Sequence, residues 1–418
     1  MRYELQLVMK QIWYNFRLFD SSMRLFYLFF LFFMLLQSRA YAQNMNWEYE
    51  ANHQDDITTI VFSPDAKYII TGSWDESIII QKNDSTREII QQIHKNRGAV
   101  KSIAFSRDGY HMLTGGQDGK LNVFEFDGLK SKPVSLDTTY DVNACQINQL
   151  LYGPSMRSIY SAGDDGRFIV IDLIRDRIIP IKTTRPISAA AIAIDQMSYF
   201  IAHENKTEIQ QLDVMGRKIR SFNGHQDQIT DIEVSVDRKH LITSSKDKTV
   251  RLWNIKTGKQ IHQFQDHSWT VTDISCDPMG LYLVSGSLDG TVQLYDLKNK
   301  KQLQSYHLTG YKVNAISISP DCTSILAAAH QEEDNKKSGY FILPTNLSYH
   351  PVLLPEKYIL QKKIKIIEPK PFNIKSKINM GRNTIHDENN TADKAFSKPK
   401  PNEKVIKRTD QIEIRIEE

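Results

Sequence analysis

Short stretches of alternating apolar and polar residues recur through the middle of the chain and are rich in isoleucine, valine, phenylalanine and tyrosine. Turn sequences such as Asp-Gly, Pro-Asp and Lys-Thr-Gly separate them. Alternation with a period of two is typical of half-buried β-strands, and this punctuation is typical of the tight turns between them. The pattern therefore predicts an all-β protein built from short antiparallel strands.

A repeat organises these strands. A turn motif ends in an aspartate five times, at intervals of 43, 47, 82 and 42 residues: Asp75, Asp118, Asp165, Asp247 and Asp289. The interval of 82 residues contains a sixth copy, with Asn205 at the aspartate position. A first-strand run precedes each turn and also recurs after the last one, which gives seven copies beginning at 57, 100, 142, 187, 229, 271 and 313.

Each repeat predicts a four-stranded antiparallel sheet, and one such sheet cannot bury both of its faces alone. Stacking the sheets in a ring buries them without leaving exposed end units. In the first strands the fourth and sixth residues are mostly bulky and the third and fifth are small or polar, which suits wedge-shaped blades around an axis. We expect a seven-bladed β-propeller, closed by a strand at 47–50 that pairs beside 339–343.

These motifs resemble the WD-repeat β-propeller family, over about 290 of the 418 residues. The resemblance implies a structural hydrogen-bonded set in each blade, made by a loop histidine, a second-strand hydroxyl, the turn aspartate and a third-strand aromatic residue. The copy nearest to the family pattern, in blade 5, implies a set of His225, Asp247 and Trp253 with Thr243 or Ser245. Blade 6 implies His267, Asp289 and Tyr295 with Ser285 or Ser287, and partial sets are implied at His53 with Asp75, at His94 with Asp118, and at Asp165.

In this family the loops before the first strand and after the second strand share one face of the ring. Aromatic and charged residues fall in those loops, and such residues dominate the energetics of protein interfaces. The sequence thus indicates a candidate partner-binding face that is made by Trp74, Asp164, Glu204, Lys246, Trp269, Leu288 and Tyr311.

The sequence contains none of the common nucleotide-binding or catalytic motifs: there is no GxGxxG, P-loop, HExxH or GxSxG pattern. The 12 histidines are scattered or fall in structural loops, and the 3 cysteines have no metal-ligand spacing. We expect no catalytic residue, no metal and no cofactor. One cluster stands apart, because Asp231, Asp273 and Glu233 lie on neighbouring first strands near the axis. Either they bind a cation or act in chemistry there, or each is hydrogen-bonded to its own loop backbone.

The amino-terminal segment has the features of a secretory signal peptide. Arg24 precedes a run of 12 almost wholly apolar residues (25–36), and Ala40-Tyr41-Ala42 supplies a cleavage site. A transmembrane helix needs about 20 residues, so we expect no stable membrane anchor. The segment 1–42 is interpreted as the signal region, with Met23 as an alternative initiator and cleavage after Ala42. A mature chain beginning at Gln43 points to a secreted or periplasmic protein, such as one of a bacterial cell envelope.

Charge is distributed unevenly along the chain. The formal net charge is +4, but residues 1–42 carry 5 basic and 2 acidic groups, and the Lys/Pro-rich tail at 346–418 carries 15 basic and 10 acidic groups. The predicted propeller, 43–345, is therefore mildly acidic. The tail composition predicts a flexible, largely disordered segment. With no nucleic-acid-binding module in the sequence, the overall basic charge does not indicate a nucleic-acid partner.

Together these features favour an exported, non-catalytic scaffold that binds a protein partner through the loop face and channel mouth, as a monomeric propeller within a complex. Two alternatives remain open. One is a propeller enzyme, or a small-molecule or glycan-binding protein, that uses the axial channel. The other is a cytosolic WD-repeat adaptor whose amino terminus only resembles a signal peptide.

Overall fold

The computed structural model describes residues 52–347, except 129, 131, 184, 194–195, 332–337 and 346. In this part of the chain every regular element is a β-strand, and the strands form seven antiparallel sheets. We number the sheets as blades 1–7 in chain order. Within each blade the strands are neighbours in sequence order, from the innermost strand at the axis to the outermost. No helix among these residues has the length and apolar character needed to cross a membrane.

The strands of the first four blades have the following bounds. Blade 1 contains β1 (Ile57–Phe62), β2 (Tyr68–Ser73), β3 (Ile78–Lys82) and β4 (Ile89–Ile93), and blade 2 contains β5 (Val100–Phe105), β6 (His111–Gly116), β7 (Lys120–Phe126) and β8 (Val134–Asp141). Blade 3 contains β9 (Ile147–Tyr152), β10 (Ser158–Gly163), β11 (Arg167–Asp172) and β12 (Arg177–Lys182), and blade 4 contains β13 (Ile187–Ile192), β14 (Ser198–His203), β15 (Ile209–Asp213) and β16 (Lys218–Phe222).

The remaining three blades complete the ring. Blade 5 contains β17 (Ile229–Val234), β18 (His240–Ser245), β19 (Val250–Asn254) and β20 (Gln260–Phe264), blade 6 contains β21 (Val271–Cys276), β22 (Tyr282–Ser287), β23 (Thr291–Asp296) and β24 (Lys301–His307), and blade 7 contains β25 (Tyr311–Ile318), β26 (Ser324–Gln331) and β27 (Ser338–Pro344).

The predicted seven-bladed propeller is confirmed, with two differences in detail. The first strand of blade 3 begins at Ile147, so the predicted start at Val142 is wrong. Blade 7 has three strands among the described residues. The strand predicted at 47–50, the signal region and the carboxy-terminal tail lie outside the described residues and stay predictions.

Apolar packing between the blades closes the ring. There are seven buried clusters, and each joins side chains of two adjacent blades, including blade 7 with blade 1. In the cluster that joins blades 7 and 1, Ile57 and Ile60 pack with Leu326 and Tyr340. Burial of apolar surface at every junction is the main force that holds such a ring together.

A β-bulge follows the first residue of the innermost strand in blades 1–6 and the third residue, Val313, in blade 7, where the pairing register with the second strand shifts. The bulge breaks strict alternation. Counted from the residue before the bulge, the first and fourth positions are buried in every blade, such as Ile229 and Ile232. The sixth is buried in blades 1, 4 and 7 and partly buried in the others, such as Val234.

The residue at the bulge supplies a hydrogen bond between blades. At five junctions its side chain donates to the carbonyl of the residue just before the bulge in the next innermost strand: Thr58 to Val100, Asn148 to Ile187, Thr230 to Val271, Thr272 to Val313, and Asn314 to Ile57. The innermost strands of neighbouring blades are not paired through backbone bonds. Side-chain bonds of this kind thus satisfy backbone groups that face the channel.

Candidate protein-interaction face

The loops before each first strand and after each second strand lie at one end of the channel, and we call this end the rim face. Its geometry repeats from blade to blade, because the residue after the second strand donates its backbone N–H to the carbonyl of the residue before the first strand. These bonds, each 2.9–3.0 Å long, pair Trp74 with Asp56, Gln117 with Ala99, Asp164 with Gln146, Glu204 with Pro186, Lys246 with Gln228, and Leu288 with Thr270. The predicted partner-binding residues of blades 1, 3, 4, 5 and 6 are thereby brought to equivalent positions.

Two tryptophans are the most exposed large apolar residues of the rim face. Trp74 is 43% exposed and Trp269 is 48% exposed. Asp164, Glu204 and Lys246 are exposed as well, whereas Leu288 and Tyr311 are half-buried. The Tyr311 ring packs edge-on against Phe341 at 4.9 Å, so it contributes more to blade 7 than to an open surface.

A lysine from the next blade lies over each exposed tryptophan. The Lys101 Nζ atom is 3.8 Å from the ring centroid of Trp74, and the Lys312 Nζ atom is 5.2 Å from that of Trp269. Cation–π contacts of this kind hold a large ring in one orientation although much of it remains in solvent. Burial lowers the pKa of Lys101. Sequence reasoning did not identify either lysine, because each belongs to a different repeat from its tryptophan.

The structural set of blade 5 is complete. His225 Nδ1 lies 2.7 Å from Asp247 Oδ2, and His225 Nε2 lies 2.7 Å from Thr243 Oγ1, which also accepts the Trp253 indole N–H at 2.9 Å. The backbone N–H of Gln226 donates to the same aspartate at 2.9 Å. Burial acts to raise the pKa of Asp247, but the bonds from His225 and its charge outweigh burial and hold the pKa well below its usual range.

The structure also settles which second-strand hydroxyl takes part. Thr243 and Ser285 bond to the histidines of blades 5 and 6, at 2.7 and 2.6 Å. Ser245 and Ser287 instead accept the backbone N–H of the turn aspartate, at 3.0 and 3.1 Å. Tyr295 of blade 6 is fully buried at the position of Trp253.

Blade 1 contains more members of the structural hydrogen-bonded set than the sequence predicted. His53 Nδ1 lies 3.0 Å from Asp75 Oδ2 and His53 Nε2 lies 2.8 Å from Thr71 Oγ1. A hydroxyl two residues after the turn aspartate, which sequence reasoning missed, donates to that aspartate in blades 1, 5 and 6 at 2.6 Å: Ser77, Thr249 and Thr291. Aligning the copies on their aspartates would have revealed this hydroxyl.

The assignment of His94 to the loop position is wrong. His94 is exposed, and Asn96 is the residue four positions before the first strand, as His225 is in blade 5. The Arg97 N–H donates to Asp118 at 3.0 Å, which keeps the loop in place. However, both polar atoms of the buried Asn96 side chain and the Thr114 hydroxyl have no hydrogen-bond partner. In blade 3, by contrast, Asn143 replaces the histidine and bonds to Asp165 at 2.9 Å and to Ser161 at 2.5 Å.

Replacing Asn96 by histidine is expected to raise the free energy of unfolding by about 1–2 kcal/mol, because the imidazole reaches Thr114 and Asp118 and replaces an unsatisfied buried amide. Urea unfolding followed by fluorescence measures the change. Asn143→His is the matched control, since that asparagine is already bonded, and we expect it to give no gain. Equal gains in both variants would contradict this explanation.

The three channel carboxylates lie together. Asp231, Glu233 and Asp273 line a central cavity of about 310 Å³ that the innermost strands enclose. Glu233 Oε2 accepts the Cys276 N–H at 2.9 Å, and Asp273 Oδ2 accepts the Ile316 N–H at 2.8 Å. Each of these donors belongs to the next blade. The expectation that each carboxylate bonds to its own loop backbone is therefore wrong for Glu233, whereas Asp231 and Asp273 each also accept the N–H of the residue that follows, Ile232 and Ile274.

Burial raises the pKa of all three carboxyl groups, and the charges of neighbouring carboxylates raise those of Glu233 and Asp273 further. The pKa of Glu233 is raised to about 7. Asp231 also accepts a bond from Gln149 Nε2 at 3.0 Å, which comes from blade 3. Among the residues that the structure describes, no three His, Cys, Asp or Glu side chains are grouped so as to hold a metal ion. These contacts make the carboxylates acceptors for the channel wall.

Comparison with known proteins identifies the class. The family described as "WD domain, G-beta repeat" matches residues 47–80, 87–125, 216–254 and 258–296. With seven antiparallel sheets in a ring and matches to this repeat in four segments, the chain is a β-propeller that contains WD repeats.

Curated relatives are similar over about half of the chain. "Target of rapamycin complex subunit wat1" of Schizosaccharomyces pombe is 27% identical over 214 residues, which is 48% of this chain and 66% of the relative. "Guanine nucleotide-binding protein subunit beta" of Zea mays is 22% identical, over 49% of this chain and 57% of the relative. "Periodic tryptophan protein 2 homolog" of Caenorhabditis elegans is 24% identical, over 44% of this chain and 20% of the relative. The chain thus spans less than two thirds of each.

Proposed function

We propose that this protein is a non-catalytic scaffold that binds a protein partner on the rim face. The observation that carries the proposal is the pair of half-exposed tryptophans, Trp74 and Trp269, each held beneath a lysine of the next blade. Large aromatic rings fixed at a surface are typical hot spots of protein interfaces. Two of the relatives carry names that describe them as subunits, which supports a role in an assembly.

The channel carboxylates are better explained as structural groups than as catalytic ones. An enzyme in the channel needs side chains free to meet a substrate, whereas Glu233 and Asp273 accept backbone N–H groups of the next blade. Asn and Gln retain an acceptor oxygen for those bonds. A triple variant, Asp231→Asn, Glu233→Gln and Asp273→Asn, is therefore expected to bind the partner as the wild type does.

Replacing both tryptophans by alanine is expected to weaken partner binding by at least about 30-fold, which corresponds to the 2 kcal/mol of a hot spot. The measurement is quantitative co-purification from native host cells with wild type and variants as bait. Tyr110→Ala is the matched control, since Tyr110 is a 67% exposed aromatic at the opposite end of the propeller. Loss of the partner in the channel triple variant, with retention in the tryptophan variant, would overturn the proposal in favour of a channel ligand.

We also propose that the protein is exported to the periplasm or the cell exterior. The apolar run at 25–36 followed by Ala40-Tyr41-Ala42 supports this, because that order of features is read by the secretion machinery. Sequencing the amino terminus of the protein isolated from its host tests the proposal. A start at Gln43 is expected, whereas a start at Met1 or Met23 would indicate a cytosolic adaptor.

A further inference from the structure

Half of the buried side-chain polar atoms that lack a hydrogen-bond partner lie at one place in the ring. Eight such atoms occur among the described residues, and four of them belong to blade 2: Asn96 Nδ2, Asn96 Oδ1, Thr114 Oγ1 and Asn122 Nδ2. These residues are almost completely buried, with exposed fractions of 5%, 0% and 1%. Buried polar groups of folded proteins are rarely left unpaired, so four at one place require an explanation.

The three residues belong to one site, which we call the blade 2 polar site. Thr114 and Asn122 are direct partners across β6 and β7, so their side chains lie side by side on one face of the sheet. Asn96 stands four residues before β5, at the position that His225 has before β17. In blade 5 the side chain from this position bonds to Thr243, the counterpart of Thr114, at 2.7 Å. The unpartnered atoms of blade 2 therefore surround the position that an imidazole occupies in blade 5.

The backbone around this site is the same in blades 2 and 5. The Arg97 N–H donates to Asp118 Oδ2 at 3.0 Å, and the Gln226 N–H donates to Asp247 Oδ2 at 2.9 Å. The backbone bond between the residue after the second strand and the residue before the first strand is 2.9 Å long in both blades. The loop and the strands are thus held at the same spacing, and only the side chains between them differ.

The groups that satisfy this site in blade 5 have been replaced in blade 2. Phe124 stands where a tryptophan in blade 5 donates its indole N–H to the second-strand hydroxyl, so Thr114 receives no bond from that ring. Lys120, two residues after the turn aspartate, has its Nζ atom 3.4 Å from Asp141 on the outer strand. From the described residues, Asp118 accepts only backbone N–H groups.

The third-strand residue beside the hydroxyl distinguishes blade 2 from blade 3 as well. At this position the third strand carries Arg251 in blade 5, Ile169 in blade 3 and Asn122 in blade 2. Arg251 is long enough to reach the turn aspartate of its blade, and an isoleucine needs no polar partner. Asn122 is polar but short: its Oδ1 accepts the Thr139 hydroxyl at 2.8 Å, whereas its Nδ2 reaches no acceptor.

We propose that the blade 2 polar site binds ordered water, which takes the place of the imidazole between Thr114 and Asp118. A water molecule donates two hydrogen bonds and accepts two, and a buried water typically makes about three. Here one molecule accepts N–H groups of Asn96 and Asn122 and donates to Thr114 and Asp118, and a second molecule donates to Asn96 Oδ1. The inference is independent of the proposed function, because the site is buried and contains neither rim tryptophan.

Two other arrangements fit the site less well. Hard cations such as calcium bind oxygen atoms, but two of the four unpartnered atoms are amide nitrogens, whose N–H groups would face the cation unbonded. A direct bond from Asn96 to the turn aspartate, like that of Asn143 in blade 3, would leave Asn122 without a partner. Water serves both the donors and the acceptors.

A crystal structure of the full chain, at a resolution that shows ordered water, tests the proposal. We expect a density peak within about 2.7–3.2 Å of Asn96, Thr114 and Asn122. A site without such a peak, with the side chains bonded directly to one another, would overturn the proposal. A peak surrounded by oxygen atoms alone, at about 2.3–2.6 Å, would replace the water with a cation.

The same structure of two variants locates the water. Asn96→His should remove the peak, because the imidazole occupies its place. Asn143→His, the matched change in blade 3, should leave the peak of blade 2 unchanged. Release of an immobilised water favours the imidazole, so the stabilisation expected of Asn96→His is retained. A peak that persists in Asn96→His would contradict the assignment.

Thr114→Val measures the contribution of the water in solution. Valine has nearly the shape of threonine but cannot bond to water, so we expect the folding equilibrium constant from urea unfolding to fall about 5-fold, the effect of one hydrogen bond. Thr71→Val in blade 1 is the control, because its hydroxyl bonds directly to His53 at 2.8 Å and its loss should have an effect of similar size. A Thr114→Val variant at least as stable as the wild type would show that the hydroxyl has no partner and would refute the proposal.

Discussion

Replacing Asp247 by alanine is expected to lower the free energy of unfolding by about 3–5 kcal/mol, the typical effect of removing one partner from a buried charged set. Asp247 accepts bonds from His225, from Thr249 at 2.6 Å and from the Gln226 N–H, and its Oδ2 lies 3.4 Å from Arg251 Nη2. Arg251 is only 6% exposed, so its charge would be left buried without a carboxylate. Urea unfolding followed by tryptophan fluorescence, with Trp253 fully buried, measures the loss.

Asp118→Ala is the matched control for Asp247→Ala. Asp118 occupies the same turn position in blade 2, but from the described residues it accepts only the backbone N–H groups of Arg97 and Lys120. We expect a loss of about 1 kcal/mol there. Losses of the same size in both variants would show that the turn itself, and not the histidine set, stabilises the blade.

The channel carboxylates are expected to make the protein less stable as the pH rises from about 5 to 8. The pKa of Glu233 is raised from 4.5 in the unfolded chain to about 7, so the folded protein holds its proton more tightly. Stability from such a group is present below the unfolded pKa and is lost as the pH rises toward the folded pKa. For one proton the free energy of unfolding falls by about 1.4 kcal/mol per pH unit, or by up to about 3 kcal/mol between pH 5 and pH 8. Asp231 and Asp273 act in the same direction.

Glu233→Gln removes this titration but keeps an oxygen that accepts the Cys276 N–H. The variant should therefore lose less stability than the wild type between pH 5 and pH 8 and should be the more stable protein at pH 8. Glu204→Gln, at an exposed rim position, is the control. Urea unfolding at several pH values gives the slopes, and parallel slopes for wild type and Glu233→Gln would refute the assignment.

The turn aspartates make the folding stability depend on pH in the opposite direction, and at lower pH. Hydrogen bonds from His53, His225 and His267 hold the pKa values of Asp75, Asp247 and Asp289 below their usual range, against the effect of burial. The stability that these aspartates contribute is present above the unfolded pKa of about 4 and is lost as the pH falls below it. The two groups together place the greatest stability at mildly acidic pH.

The sequence was sufficient for the architecture because the repeat is visible in both the turns and the first strands. Blade 5 was predictable residue by residue, since His225, Thr243, Asp247 and Trp253 all stand at their family positions. His94 was misassigned because it was matched to the loop position by being a histidine, without regard to its spacing from the first strand. Its distance of six residues from Val100, against four between His225 and Ile229, already excluded it.

Contacts between residues of different repeats could not be predicted from the sequence. The lysines over Trp74 and Trp269, and the N–H groups that meet Glu233 and Asp273, come from the next blade, and no spacing within one repeat reports them.

The junction between blades 4 and 5 differs from the other joints of the ring. Blade 4 presents Ser188, whose hydroxyl has no hydrogen-bond partner, followed by Ala189, Ala190 and Ala191. Within the described residues, no side chain of β13 bonds to β17, and Gln149 reaches past these small residues from blade 3 to Asp231 of blade 5. The joint is held instead by apolar packing, in which Phe222 of blade 4 meets Trp253 of blade 5 with ring centroids 6.1 Å apart. A change that loosens this packing should therefore act at one joint of the ring, and amide exchange would register it as lost protection along β17 rather than along β25.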